Sequence, residues 1–149
     1  MLDAKDVKIL NALLNNSRTS TTKISESMKI SNVATQQRIS KLEKMGVIKG
    51  YTATLDYTMA DYKTIAYLGI FLEQAKNYPS VIEQLNKVPQ ISEAHFTTGN
   101  YSIFAKIYAR NNMHLMEILS EKIQNIQGVA RTETFISLQE GINKPIFVE

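Results

Sequence analysis

Asn32, Gln36 and Gln37 lie close together in a stretch of helical spacing, with Val33 between them and Arg38, Lys41 and Lys44 following. A carboxamide carries a donor and an acceptor side by side, the combination that meets the major-groove edge of adenine, and a valine methyl suits the thymine methyl. Guanidinium and ammonium groups neutralise phosphates. Thr21, Thr22 and Ser31, at or near expected helix starts, add neutral phosphate contacts through hydroxyls or adjacent backbone N–H groups. The chemistry these residues suit is recognition of duplex DNA. Asn32, Val33, Gln36 and Gln37 are the candidate base readers, biased to A·T pairs, and Arg38, Lys41 and Lys44 the candidate backbone clamps. For Arg38 an internal ion pair with Glu43 or Asp6 is an equal reading.

Bond-making chemistry has little to work with. The chain has no cysteine, which removes disulfides, thiolate nucleophiles and Cys-ligated zinc together. Its two histidines, His95 and His114, stand apart in structural or surface roles, and no phosphate-cradling glycine loop is present. Glu73, Glu93 and Glu133 read most simply as sheet or surface charges. The expectation is a protein that is not an enzyme, requires no cofactor and holds no metal.

The elements that must position the candidate readers are written in the apolar spacing. Val7, Leu10, Leu13 and Leu14 form one helical stripe, Ile24 and Met28 a second, and Thr35, Ile39 and Leu42 a third. Asp3 with Asp6, Ser20 and Ser31 stand where N-caps belong, and Gly46 ends the third helix. Only Lys29 and Ile30 separate helices two and three. The third helix, Asn32 to Met45, is about 21 Å long and of a width that fits the major groove. Residues 1–50 hold nine Lys/Arg against four acids, although the whole chain is only +3, so the basic charge is concentrated here. The competing reading is an ordinary solvated face on a small helical bundle.

Beyond Gly46 the pattern switches to period two from Val47 to Leu55, which predicts a strand forming a wing or linker. From Ile65 strands and helices alternate. An apolar strand over 65–72 precedes a helix bearing Val81, Ile82, Leu85 and Val88. A hairpin follows from Ile91 to Ala109 around Gly99 and Asn100, then a helix from near Asn112 to Gly128, then a strand from Val129 to Leu138. The order β-α-β-β-α-β is the ferredoxin-like arrangement, with both helices on one face of an antiparallel sheet. Because residues 65–72 offer apolar side chains to both faces, a second copy of the sheet is the expected cover. The fold class is therefore α+β: a winged helix-turn-helix over 1–50, a strand-bearing linker over 51–63, and a ferredoxin-like βαββαβ oligomerisation domain over 64–149. No apolar run of about eighteen residues exists and the first residues are charged, so a cytoplasmic, nucleoid-associated protein is expected, with no membrane partner.

Over essentially its whole length the sequence resembles the leucine-responsive and asparagine-responsive (Lrp/AsnC) family of transcriptional regulators. The resemblance rests on Leu2-Asp3 with Asp6, Ile9-Leu10, Leu13, Asn16-Ser17-Arg18, Ser31, Arg38-Ile39, Leu42-Glu43, Gly46-Val47-Ile48 and Gly50-Tyr51. In the second half it rests on Thr98-Gly99-Asn100-Tyr101 and on residues 128–134. It implies that the βαββαβ domain over 64–149 is ligand-sensing, with dimers formed through the sheets, octamers built from four dimers, and a small effector, usually an amino acid, held between dimers. That site maps onto Gly99, Asn100, Tyr101 and Ser102, with Thr134 and Ile136 on the last strand. The family commonly has Gly-Asp-Tyr-Asp at the hairpin, so Asn100 and Ser102 replace two carboxylates that hold an ammonium group by charge-assisted bonds. Amino-acid sensing is then altered, weakened or lost. The alternative function is an architectural DNA-wrapping protein of low sequence specificity. Lys29 and Asp61 stand where the family usually has glycine, so each turn must tolerate a left-handed side-chain-bearing residue or bend differently.

Overall fold

The computed structural model describes residues 1–149 and separates them into two compact units. Residues 1–54 and 141–149 form the first, and residues 55–140 the second.

In the first unit the three expected helices are α1 (Ala4–Asn15), α2 (Thr21–Met28) and α3 (Asn32–Lys44). Each starts on a side chain suited to the exposed N–H groups of a first turn. Asp3 accepts from the amides of Lys5 and Asp6, and the Asp6 carboxylate accepts in return from the Asp3 amide, a reciprocal capping box. Ser20 accepts from the Lys23 amide and Ser31 from the Ala34 amide. Ile9, Leu10, Ile24 and Leu42 form the core, with Thr35 also fully buried and donating its hydroxyl to the Ser31 carbonyl. The α2–α3 turn keeps its left-handed geometry without glycine. Lys29 sits at φ 53°, ψ 46°, a conformation that costs a side-chain-bearing residue on the order of 1 kcal/mol. Asp61, the other position where the resemblance led us to expect glycine, is likewise left-handed at φ 67°.

The strand expected over Val47–Leu55, and with it the strand-bearing character of 51–63, is corrected: residues 47–63 contain no strand. A strand needs a partner for its N–H and C=O groups, and within one chain this segment has none. Tyr51 is instead tied by its hydroxyl to Glu43 at 2.9 Å. The extent 64–149 is corrected too, because residues 141–149 pack in the first unit.

The second unit is the βαββαβ domain. Its sheet has the order β2-β3-β1-β4 with every pairing antiparallel, from β1 (Thr64–Leu72), β2 (Ile91–Phe96), β3 (Ile103–Ala109) and β4 (Val129–Ile136). Alternation sorts the two faces. Ala66, Leu68 and Ile70 of β1 and Ile103, Ala105 and Ile107 of β3 are buried beneath α4 (Tyr78–Leu85) and α5 (Asn112–Glu117). Val81, Leu85, Leu115 and Ile118 complete that layer. The opposite face carries Tyr67, Phe71, Phe104 and Phe135.

The last helix departs from regular α geometry. After Glu117 the chain continues as a π-helix over Ile118–Ile123, in which the Gln124 amide donates to the Leu119 carbonyl five residues back at 2.8 Å. The wider turn lets Ile118 and Ile123, spaced by five, both reach full burial, which 3.6-residue periodicity does not provide.

Candidate nucleic-acid interface and effector hairpin

The inward stripe of α3 leaves Asn32, Val33, Gln36, Gln37, Lys41 and Lys44 exposed on its outer side, with Val33 65% exposed. Val33, Gln36, Gln37, Ser40, Lys41 and Lys44 line one shallow concavity along the helix. Gln36, Gln37, Lys41 and Lys44 make no side-chain hydrogen bond or ion pair within the chain, so their polar groups are available to a partner. Thr21 is half-buried at the start of α2, and Thr22 is exposed beside it. Asn32 donates to the Thr22 hydroxyl at 3.3 Å, which joins the starts of α2 and α3 and leaves the Thr22 proton free to donate outward. Ser31 uses its oxygen as the α3 cap and likewise retains its own proton.

Arg38 is corrected. Its Nη1 lies 2.7 Å from Asp3 Oδ2 and 2.7 Å from Asp6 Oδ1, an internal clamp between α3 and the cap of α1 rather than a free phosphate ligand. Glu43 takes no part. The Asp6 amide first, and then the Arg38 guanidinium, hold the Asp3 carboxyl below its ordinary pKa, while Asp3 and Asp6 push the arginine further up.

The hairpin is closed by the Thr97 amide donating to the Ser102 carbonyl at 3.0 Å, and the Ser102 amide donates to Ile70 of β1 at 3.0 Å. Gly99 and Asn100 are exposed at the tip. Tyr101 and Ser102 turn away from it. The Leu72 amide points to the Ser102 hydroxyl at 3.5 Å. Tyr101 lies flat on the helix-free face directly over Gly69, where a Cβ would come within 2.6 Å of ring atoms Cε1 and Cγ. Its hydroxyl donates to Glu133 at 2.8 Å, and Glu133 holds Arg131 at 2.6 Å, whose guanidinium covers Phe71 at 3.6 Å from the ring centroid. These donors, Tyr101 first, lower the Glu133 pKa, and the carboxylate raises that of Tyr101. Gly69 was the missed residue. The available signal was a glycine inside an apolar strand, which marks a close approach.

Thr134 and Ile136 pair with Leu68 and Ala66 of β1, whereas the hairpin joins β2 to β3. In the sheet order only β1 stands between β3 and β4, and Tyr101 reaches across it on the helix-free face to Glu133, whereas Thr134 and Ile136 share the opposite face with their partners Leu68 and Ala66. A concavity of this unit lies elsewhere, bounded by Gln74, Asn77, Gln84, Glu121 and Asn125. No group of acids and histidines is placed to hold a metal ion.

A capped helix-turn-helix with an exposed polar outer face, on the same chain as a βαββαβ domain, defines the class of DNA-binding regulators. Residues 2–49 match the winged helix-turn-helix DNA-binding family, and residues 65–145 match the Lrp/AsnC ligand binding domain. The chain is 35% identical to the regulatory protein AsnC of Haemophilus influenzae over 97% of both sequences. It is 34% identical to that of Escherichia coli K12, over 98% of this chain and 96% of that one. The solved structure of E. coli AsnC superimposes with a TM-score of 0.93, covering 99% of each chain at 34% identity. A Neisseria meningitidis regulator solved with L-methionine shares the fold at TM-score 0.90 and 21% identity, over 97% of this chain and 94% of that one. The chain belongs to the Lrp/AsnC family of transcriptional regulators, whose members are regulators and not enzymes, and a regulator rather than an architectural wrapping protein is what these relatives support.

Proposed function

We propose that this regulator reads A·T-biased half-sites with Asn32, Val33, Gln36 and Gln37, and grips the phosphates with Lys41, Lys44 and the hydroxyls of Thr21, Thr22 and Ser31. The observation that carries the reading is that Gln36, Gln37, Lys41 and Lys44 on the outer face of α3 are exposed and without internal partners, beside the inward-locked Arg38. Gln36→Ala should cost about 1–3 kcal/mol at a cognate site and relax one base position. Lys41→Ala should weaken every sequence alike and reduce the slope of log affinity against log salt by about 1. Quantitative binding to a library of operator variants at several salt concentrations checks both. Unchanged sequence preference in Gln36→Ala overturns the face assignment.

The effector site, in the same reading, is completed between copies of the chain, with Gly99, Asn100, Tyr101 and Ser102 from one and Thr134 and Ile136 from another. The placement of Tyr101 and of Thr134 and Ile136 on opposite faces of the sheet within one chain supports this. The aromatic helix-free face supports a dimer through the sheets, assembling further to an octamer, in the cytoplasm on the nucleoid. An amino acid is the effector class, in keeping with the L-methionine bound to the Neisseria relative. With neutral Asn100 and Ser102 in place of carboxylates, its ammonium group is held about tenfold more weakly per lost charge. Isothermal titration with the twenty amino acids should return only weak binding. Asn100→Asp should tighten the best of them. Tight binding of leucine, asparagine or lysine to the unmodified chain refutes the weakening.

A further inference from the structure

The chain does not leave α3 freely. Gly46, left-handed at φ 72°, reverses it after Met45. The Gly46 amide then donates to the Glu43 carbonyl at 2.9 Å, and those of Val47 and Ile48 to the Leu42 carbonyl at 3.0 and 3.2 Å. Ile48 lies against the helix-turn-helix core of Ile9, Leu10, Ile24 and Leu42. Three residues further on, Tyr51 returns to the same helix, where its hydroxyl donates to Glu43 Oε1 at 2.9 Å. Glu43 is the single acid of α3 and stands between Lys41 and Lys44. Burial first, and then the Glu43 carboxylate, push the tyrosine pKa up, so the phenol remains a donor at neutral pH.

Beyond Tyr51 the fastening stops. Residues 52–55 are exposed and make no hydrogen bond, and the first compact unit ends at Thr54 before its return at Gly141. The second unit takes hold at once, with Asp56 Oδ1 accepting from the Thr58 amide at 2.9 Å and the Tyr57 ring 4.4 Å from that of Tyr108. The unfastened stretch is therefore four residues, 52–55. Without the Tyr51–Glu43 bond nothing polar holds 49–51, and the stretch becomes seven residues, 49–55. The reach of a flexible segment grows as the square root of its length, so this lengthening widens it by about a third.

We propose that Tyr51 is a positioning residue for DNA recognition: by holding Glu43 it extends the rigid body of the recognition helix through residue 51 and confines the swivel of the DNA-binding unit to 52–55. The proposal rests on the reading of α3 as the DNA contact and of the regulator as presenting two heads to one operator. A short swivel fixes how far apart two heads can sit, because effective concentration falls when a linker is longer than the span it must bridge. Tyr51 thereby sets how strictly the regulator distinguishes operators that differ in half-site spacing.

Two measurements on the full chain test it. The chain has no cysteine, so Lys8→Cys on α1 and Thr52→Cys just past the latch accept spin labels at those two places alone. With labelled chains diluted into unlabelled copies, pulsed electron paramagnetic resonance should return one narrow distance distribution. Tyr51→Phe, which removes only the hydroxyl, should broaden it at least twofold. Glu43→Gln should keep it narrow, because the carboxamide oxygen accepts the same bond, and Glu43→Leu should broaden it. Equal widths with and without the hydroxyl overturn the latch. In operator binding, Tyr51→Phe should lower the affinity ratio between optimal and altered spacings severalfold with isolated half-site affinity unchanged, and Glu43→Gln should retain the ratio. An unaltered ratio in Tyr51→Phe overturns the positioning role, as does a loss confined to half-site affinity. Failure of the underlying reading shows separately, as intact sequence preference in Gln36→Ala.

Discussion

Asp6→Ala should destabilise the helix-turn-helix unit by roughly 3 kcal/mol. Asp6 is 1% exposed, and each of its carboxylate oxygens has a task. Oδ1 meets Arg38 at 2.7 Å, and Oδ2 accepts the Asp3 amide at 3.2 Å. Truncation strands half of the Arg38 clamp beside α3 and opens the capping box at the start of α1. The loss falls on the position of α3 relative to α1, and so on the placement of the base readers. Urea denaturation followed by far-UV circular dichroism should show an earlier loss of head helicity, and a midpoint within error of the parent refutes the assignment. Acid should act on the same staple. With the Asp6 amide and Arg38 depressing the Asp3 pKa below its ordinary 3.8, the unfolded chain takes up that proton at a higher pH than the folded one. The contribution is fully present above the ordinary aspartate range and is lost as pH falls through the depressed value.

Gly69→Ala should expel Tyr101 from the sheet. The new methyl would stand 2.6 Å from two ring atoms, and the ring is packed against Phe71, Phe104 and Phe135 at centroid distances of 5.2, 5.8 and 5.9 Å, so it has no small adjustment to make. Overpacking of this kind costs about 1–3 kcal/mol, here combined with loss of the Tyr101–Glu133 bond. The affected face is the one proposed to pair in the dimer, so sedimentation should show dimer dissociation at about tenfold higher concentration for each 1.4 kcal/mol transmitted. Tyr101→Ala provides the control. In that background Gly69→Ala should be nearly neutral, because the clash has gone, and a full additive penalty in the double variant would disprove the wedge.

The parts legible in the sequence are those determined by local rules. Asp3, Ser20 and Ser31 cap helices because a first turn has exposed amides wherever it sits, and apolar spacing placed Leu10, Ile24 and Leu42 in one core, though it passed over Ile9 beside them. The βαββαβ order followed from alternating periods. What escaped depends on partners far away in the chain. Period two over Val47–Leu55 described a backbone ready to pair, but pairing needs a second strand that one chain does not supply. Arg38 had two carboxylate candidates within reach on paper, and only the capped start of α1 brought Asp3 and Asp6 to the same nitrogen. The five-residue step from Ile118 to Ile123 was visible, yet 3.6-residue periodicity has no place for it. Nothing local connects Gly69 to the ring of Tyr101.

The left-handed backbone at Lys29 and Asp61 has an evolutionary reading. Each position withholds on the order of 1 kcal/mol that a glycine would release without touching the outer face of α3 or the hairpin. A single codon change at either site thus supplies a margin about as large as a typical damaging substitution removes. The chain sits next to sequences that can tolerate new base readers on α3, and these two turns are where its capacity to acquire a different operator is stored.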